Sequence, residues 1–198
     1  MRDIEIRKTN SPVTREDDSS RIISGKAVSF DTPSQDLGFT EYIHREAISQ
    51  ELIDSCDIFA KFNHDDNKIL ARSRKGKGSL KLDLRDDGLY YSFKAKKTAL
   101  GDEVLAYIED GDLEGSSFAF YVSDEPNSEV WTRDMNGSYK RDIYKIAGLA
   151  DVSPVFEPAY LDTTVKMQSR SKTFQDIQER AMKIDSELDT KLKEIEDL

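Results

Sequence analysis

Ser79-Leu80-Lys81-Leu82-Asp83-Leu84-Arg85-Asp86-Asp87-Gly88-Leu89-Tyr90-Tyr91-Ser92-Phe93-Lys94-Ala95 is the stretch that decides the fold class. Its first half alternates apolar and polar residues strictly, and Leu89 to Ala95 alternates again. An Asp-Gly pair between two runs of period two predicts a β-hairpin. The same signature extends outward in both directions. Ile4 and Ile6 alternate with charges and predict a short strand. Residues 21–30, 39–43, 58–62 and 68–72 read as further strands, broken by Asp31-Thr32-Pro33-Ser34 and by polar turns. Downstream, 115–122 and 146–156 are apolar strand segments, and Asn136-Gly137 marks a second hairpin between Val130-Trp131 and Tyr139 to Tyr144. Residues 10–20 are polar and read as a loop punctuated by Pro12.

Two segments have helical spacing instead. Ala47, Ile48, Leu52 and Ile53 predict a helix over 47–55; Leu100, Val104, Leu105 and Ile108 predict one over 99–109, stopping at Gly111. Many short strands with helices outside them predict a β-rich, barrel-like α+β domain. From Ser169 onward the character changes. Phe174, Ile177, Ala181, Ile184, Leu188, Ile195 and Leu198 form a heptad-like stripe on a charged segment, which predicts an amphipathic helix. The chain thus divides into a domain over 1–165 and a helical tail over 166–198. It has no internal repeat.

Composition narrows the function classes. The chain has 198 residues, enough for one domain with a good core. A net charge of −10 argues against a nucleic-acid-binding surface as its main business. No apolar run approaches the roughly 18 residues of a membrane span, and the N-terminus lacks the apolar stretch of a signal peptide. The single cysteine, Cys56, cannot form an internal disulfide, which fits a reducing cytoplasm.

The chain has two histidines, so candidates for a general base are few. His64 follows the apolar run Ile58-Phe59-Ala60-Lys61-Phe62, and Ser117 stands where a glycine-bounded turn, Gly111 to Gly115, gives way to Phe118-Ala119-Phe120. A serine hydroxyl becomes a useful nucleophile once a positioned base takes its proton. Asp151 interrupts the apolar stretch Ile146 to Val155, and a carboxylate there is costly unless paired or at the surface. It is the candidate to orient the base. Each residue also has an ordinary reading: His64 as a surface residue in a polar turn, Ser117 or its neighbour Ser116 as turn residues, Asp151 on an exposed strand edge. A metal site would need more ligands than His44, His64 and Cys56 supply, and no cofactor is implied. Arg72, Arg74, Lys75 and Lys77 form a basic loop that is either a solvated hairpin tip or an anion site; Lys75 to Ser79 lacks phosphate-loop spacing. An α/β-hydrolase is disfavoured, because its nucleophile sits between strand and helix and its histidine follows the serine. Here the turn leads into a strand and His64 precedes Ser117.

Taken in order, Phe62-Asn63-His64-Asp65, Leu70-Ala71-Arg72, Asp87-Gly88-Leu89-Tyr90-Tyr91-Ser92-Phe93, Ile108 to Phe120, and Leu149-Ala150-Asp151-Val152-Ser153-Pro154-Val155 with Pro158-Ala159-Tyr160 resemble the prohead, or capsid maturation, proteases of tailed bacteriophages. Ser24-Gly25-Lys26-Ala27-Val28-Ser29-Phe30 also fits the family's first strand, and the resemblance covers about residues 20–165. It implies a serine endopeptidase on a barrel related to herpesvirus assemblin, with His64 as base, Ser117 as nucleophile and Asp151 at the acidic position. It also implies the major capsid protein precursor and its scaffold segment as partners, and action inside the immature capsid in the host cytoplasm. Self-association through the C-terminal helix is a further expectation. Ala119 stands where the family usually has glycine, and Asp151 where glutamate is frequent. The herpesvirus relatives use a second histidine as third member; here no histidine follows His64. The alternatives are a non-enzymatic capsid-assembly module on the same fold and an unrelated serine hydrolase.

Overall fold

The computed structural model describes residues 3–156 apart from 10, 16–19, 134 and 136. The expected helical tail and the boundary at 165 lie outside the described residues. The strands run in chain order as β1 (Glu5–Thr9), β2 (Thr14–Arg15), β3 (Ile22–Ser29) and β4 (Thr40–Ile43), followed by helix α1 (Gln50–Ser55). Then come β5 (Asp57–Lys61), β6 (Ile69–Arg74), β7 (Lys77–Gly78), β8 (Leu80–Arg85), β9 (Gly88–Lys94) and helix α2 (Ala99–Glu109). β10 (Gly115–Val122), β11 (Glu129–Arg133), β12 (Tyr139–Ile143) and β13 (Ile146–Val155) complete the described order. Both helices start at hydroxyl caps: Ser49 Oγ accepts from Leu52 N–H and Thr98 Oγ1 from Gly101 N–H.

The 79–95 hairpin forms as β8–β9, with Leu82 opposite Tyr91 and Leu84 opposite Leu89. Its turn lies one residue earlier than the Asp-Gly pair indicates. Gly88 is already in β9, paired with Arg85 of β8 and Ser29 of β3, and a Cβ there would meet the Val28 carbonyl oxygen at 2.1 Å. Thr14–Arg15, expected as loop, pairs with β3.

The strands form three sheets, in the orders β1-β10-β13-β5-β6-β7, β2-β3-β9-β8 and β11-β12-β4. None closes on itself among the described residues, so the expectation of a barrel reduces to a β-rich α+β fold with open sheets. The six-stranded sheet ends at β1 on one side and at the two-residue β7 on the other, which is too short to carry the ladder further. Ile23, Val28, Leu89, Tyr91 and Phe93 of one sheet share a continuous core with Ile58, Phe118, Phe120 and Val152 of another. Burial of this apolar area is the main stabilising term. The basic loop is a hairpin tip, with Lys75 and Gly76 at φ 51° and 72° and Arg72 paired with Asp57.

Candidate active site

β10 sits inside the six-stranded sheet, antiparallel to β1 on one side and to β13 on the other. Ser117 lies opposite Ser153 of β13 and opposite Lys8 of β1. Successive strand residues point to opposite faces. Phe118 and Phe120 therefore fill the core, while Ser117 shares the other face with Ala119, Asp151 and Ser153, as the register requires. β13 runs parallel to β5, with Asp151 opposite Phe59. The chain leaves β5 at Lys61 and turns back over this face.

That turn carries His64. Phe62 N–H donates to the Lys68 carbonyl, and Asn63 N–H donates to the Pro154 carbonyl of β13 at 3.0 Å. The Phe62 ring packs against Tyr107 and Phe156. Asn63 and His64 adopt φ of 53° and 60°, in the left-handed region. A non-glycine residue there costs on the order of 1–2 kcal/mol, which the surrounding contacts must offset.

The side chains meet in a row. His64 Nε2 is 2.6 Å from Ser117 Oγ, and His64 Nδ1 is 2.7 Å from Asp151 Oδ1. Ser117 is fully buried and Asp151 nearly so. Burial alone would raise the Asp151 carboxyl. The hydrogen bond and charge of His64, the Ser153 hydroxyl and the Lys61 ammonium outweigh it and hold the group below the usual carboxylate range. An ionised carboxylate only accepts, so Nδ1 carries the proton and Nε2 of the neutral ring is left to accept from Ser117. The hydroxyl has a second acceptor within reach, the Arg7 carbonyl of β1 at 2.8 Å. This row can move a proton from Ser117 to His64 while Asp151 stabilises the imidazolium that results.

All three residues singled out in the sequence are thus brought together. Two others were missed. Ser153 Oγ–H donates to Asp151 Oδ1 at 2.7 Å, and Lys61 Nζ lies 3.3 Å from Asp151 Oδ2. Ser153 stands two residues after Asp151, hence on the same face of a strand, and that spacing was a usable signal. Lys61 stands inside the run Ile58 to Phe62, which reads as apolar. His44, the other histidine, sits elsewhere, between Asp31 and Asp142. Among the described residues no group of three or more His, Cys, Asp or Glu side chains is arranged to hold a metal ion.

A buried serine, an imidazole and a carboxylate in hydrogen-bonded sequence on a β-sheet are the arrangement that serine acyl-transfer chemistry uses. The chain belongs to the Caudovirus prohead serine protease family, which it matches over residues 5–177. It is therefore a phage capsid-maturation protease by family. A solved structure, that of the bacteriophage T4 capsid assembly protease gp21, has a similar fold, with a TM-score of 0.50 at 11% sequence identity; the match covers 79% of this chain and 98% of that one. No curated protein matches the chain.

Proposed function

We propose that the chain is a serine endopeptidase that cleaves the scaffold segment of a capsid precursor during prohead maturation. Ser117 is the nucleophile, His64 the general base and Asp151 the residue that orients and stabilises it. The observation that carries this reading is the unbroken row Asp151–His64–Ser117, at 2.7 and 2.6 Å, in a chain of this family. His64 takes the Ser117 proton as Oγ attacks the peptide carbonyl carbon. It then gives that proton to the leaving amine, and water releases the acyl group from Ser117. The assemblin relationship of the fold and the site of action, within the immature capsid in the host cell, follow from the same reading. Co-expression with the cognate capsid precursor tests it: shortened capsid protein appears with the wild-type chain and is absent with Ser117→Ala. Equal processing by both, or by neither, sinks the peptidase reading and favours a non-enzymatic assembly module.

The 166–198 segment is assigned to delivery. Its apolar stripe has too little bulk for a core of its own, and an isolated amphipathic helix of this length is marginal in water. It docks on scaffold, on capsid precursor or on a second copy. A chain ending at Val165 then still cuts a soluble precursor fragment but is not incorporated into proheads. Loss of cleavage or of thermal stability on this truncation would assign the segment to the catalytic domain instead.

A further inference from the structure

Asp151 gives one oxygen to His64; what occupies the other has a consequence for the reaction. Oδ2 faces Lys61, whose Nζ is 3.3 Å away. The same ammonium lies 2.8 Å from Asp66 Oδ1. Lys61 ends β5, and Asp66 lies in the turn that carries His64. One cation therefore ties the turn of the base to the strand of the acid. The Lys61 side chain is only 15% exposed and its ammonium lies over the Phe59 ring, so it is held rather than waving in solvent. Burial pulls the ammonium down, but the hydrogen bond to Asp66 and the charge and hydrogen bond of Asp151 outweigh it and hold Lys61 above its usual range. Lys61 is thus charged throughout the working pH range.

A carboxylate on a single χ2 torsion can rotate and present either oxygen. With Ser153 and His64 on Oδ1 and Lys61 on Oδ2, only one orientation satisfies all three donors. We propose that Lys61 is a positioning residue of the peptidase, locking the Asp151 carboxylate and the His64 turn in register; this rests on the reading of His64, Ser117 and Asp151 as the reacting row. Lys61 acts through Asp151 and touches no reacting atom. Its charge has a second effect. The groups facing His64 are Asp151, Ser117 and, through Asp151, Lys61 with its partner Asp66; Lys8 of β1 stands opposite Ser117. A cation on Asp151 offsets part of that carboxylate's attraction for the imidazolium. Removing the charge loosens the carboxylate and also favours the protonated ring. The rate falls, and the acidic limb of the pH profile moves to higher pH. A merely structural brace would change stability without moving that limb.

The test uses the full chain and a rhodamine-linked fluorophosphonate. This probe reports the reactivity of the serine directly: Oγ bonds to phosphorus, fluoride leaves, and the base takes the hydroxyl proton. The second-order labelling rate is followed from pH 5 to 9 for wild type, Lys61→Met, Lys61→Arg, Asp151→Asn and Ser117→Ala, with thermal melts to check folding. Lys61→Met keeps the apolar stem. It is expected to label about tenfold more slowly, the scale of one charge-assisted hydrogen bond, with its acidic limb displaced to higher pH; Lys61→Arg restores the limb. A Lys61→Met chain with wild-type rate and limb, beside a crippled Asp151→Asn, overturns the role of Lys61 and leaves the reacting row standing. Wild-type labelling of Ser117→Ala overturns the row and Lys61 together.

Discussion

Ser116 and Ser117, adjacent in β10, hold their hydroxyls on opposite faces of one sheet. Ser116 Oγ points into the core and is 3.1 Å from the Tyr91 hydroxyl, while Ser117 Oγ is 2.6 Å from His64 Nε2. The pleat separates the roles of these neighbouring serines, because only one of the two can face the imidazole. Ser117→Ala is expected to abolish processing of co-expressed capsid precursor, a loss on the order of a million-fold for a nucleophile of this kind. Ser116→Ala should process normally and melt at a lower temperature, since it leaves the buried Tyr91 hydroxyl without its partner. Normal processing by Ser117→Ala with none by Ser116→Ala would move the nucleophile one position.

Asp151→Asn is nearly isosteric, so the fold should survive while the chemistry does not. An amide can donate to His64 Nδ1 and so favours the ring tautomer with its proton on Nε2, which cannot accept from Ser117. The expected fall in turnover is on the order of ten thousand-fold. His64→Ala should be at least as damaging. Single-turnover cleavage of the capsid precursor by each variant checks this; near-wild-type turnover by Asp151→Asn would reduce the row to a Ser–His pair.

The local part of this site was legible in the residue pattern, whereas the grouping of His64, Ser117 and Asp151 came from the family resemblance and not from periodicity. The alternation of 79–95 and the strands 115–122 and 146–156 follow from patterns within a few residues, and so did Asp151 as a misplaced carboxylate. The parallel pairing of β13 with β5, which sets Asp151 beside the turn of His64, leaves no periodic trace in either strand. In the charged strands the alternation does not say which face is inward. Glu5 and Arg7 alternate with Ile4 and Ile6, yet Glu5 is only 4% exposed. In Tyr139-Lys140-Arg141-Asp142-Ile143 the Arg141 side chain is as fully buried as that of Ile143. A buried ion network has no signature in hydropathy, because its members are assembled from four separate strands.

His44, just after β4, bridges Asp31 in the turn after β3 and Asp142 of β12. Its Nδ1 is 2.6 Å from Asp31 Oδ1 and its Nε2 2.8 Å from Asp142 Oδ1, and its ring stacks on Tyr144 at 4.3 Å. Lys140 also reaches Asp142. Burial would lower the imidazolium, but the two carboxylates outweigh it and raise it above the usual histidine range. A raised group adds stability that is complete below its unfolded value, about 6.5, and lost as pH rises through the folded value. The melting temperature of wild type relative to His44→Gln should therefore be highest near pH 6 and converge in the alkaline range. A difference independent of pH would remove the charge from this account.

Arg141 holds three strands to β12. Its guanidinium reaches Glu5 at 2.6 Å, Glu41 at 2.9 Å and Glu129 at 2.6 Å, and Arg7 joins the same Glu5 and Glu41. Removing one partner from a buried ionic cluster strands the others in a low dielectric. Arg141→Met should thus cost about 3–5 kcal/mol in urea unfolding. Glu5→Gln added to it should recover part of that loss, since one stranded carboxylate is gone. The cluster also sets an acid limit. Burial would raise the Glu5 carboxyl, but the Arg141 and Arg7 guanidiniums bring it from 4.5 down to about 2. Its folded value is depressed, so its contribution is complete above the unfolded value and is lost as pH falls from about 4.5 toward 2. Wild type should lose its advantage over Glu5→Gln across that window. Because Glu5 and Arg7 belong to β1, whose Arg7 carbonyl is 2.8 Å from Ser117 Oγ, fluorophosphonate labelling by Arg141→Met should also fall under conditions where the variant remains folded. Wild-type labelling by a folded Arg141→Met chain would show that the cluster stabilises the sheet without helping to place the serine.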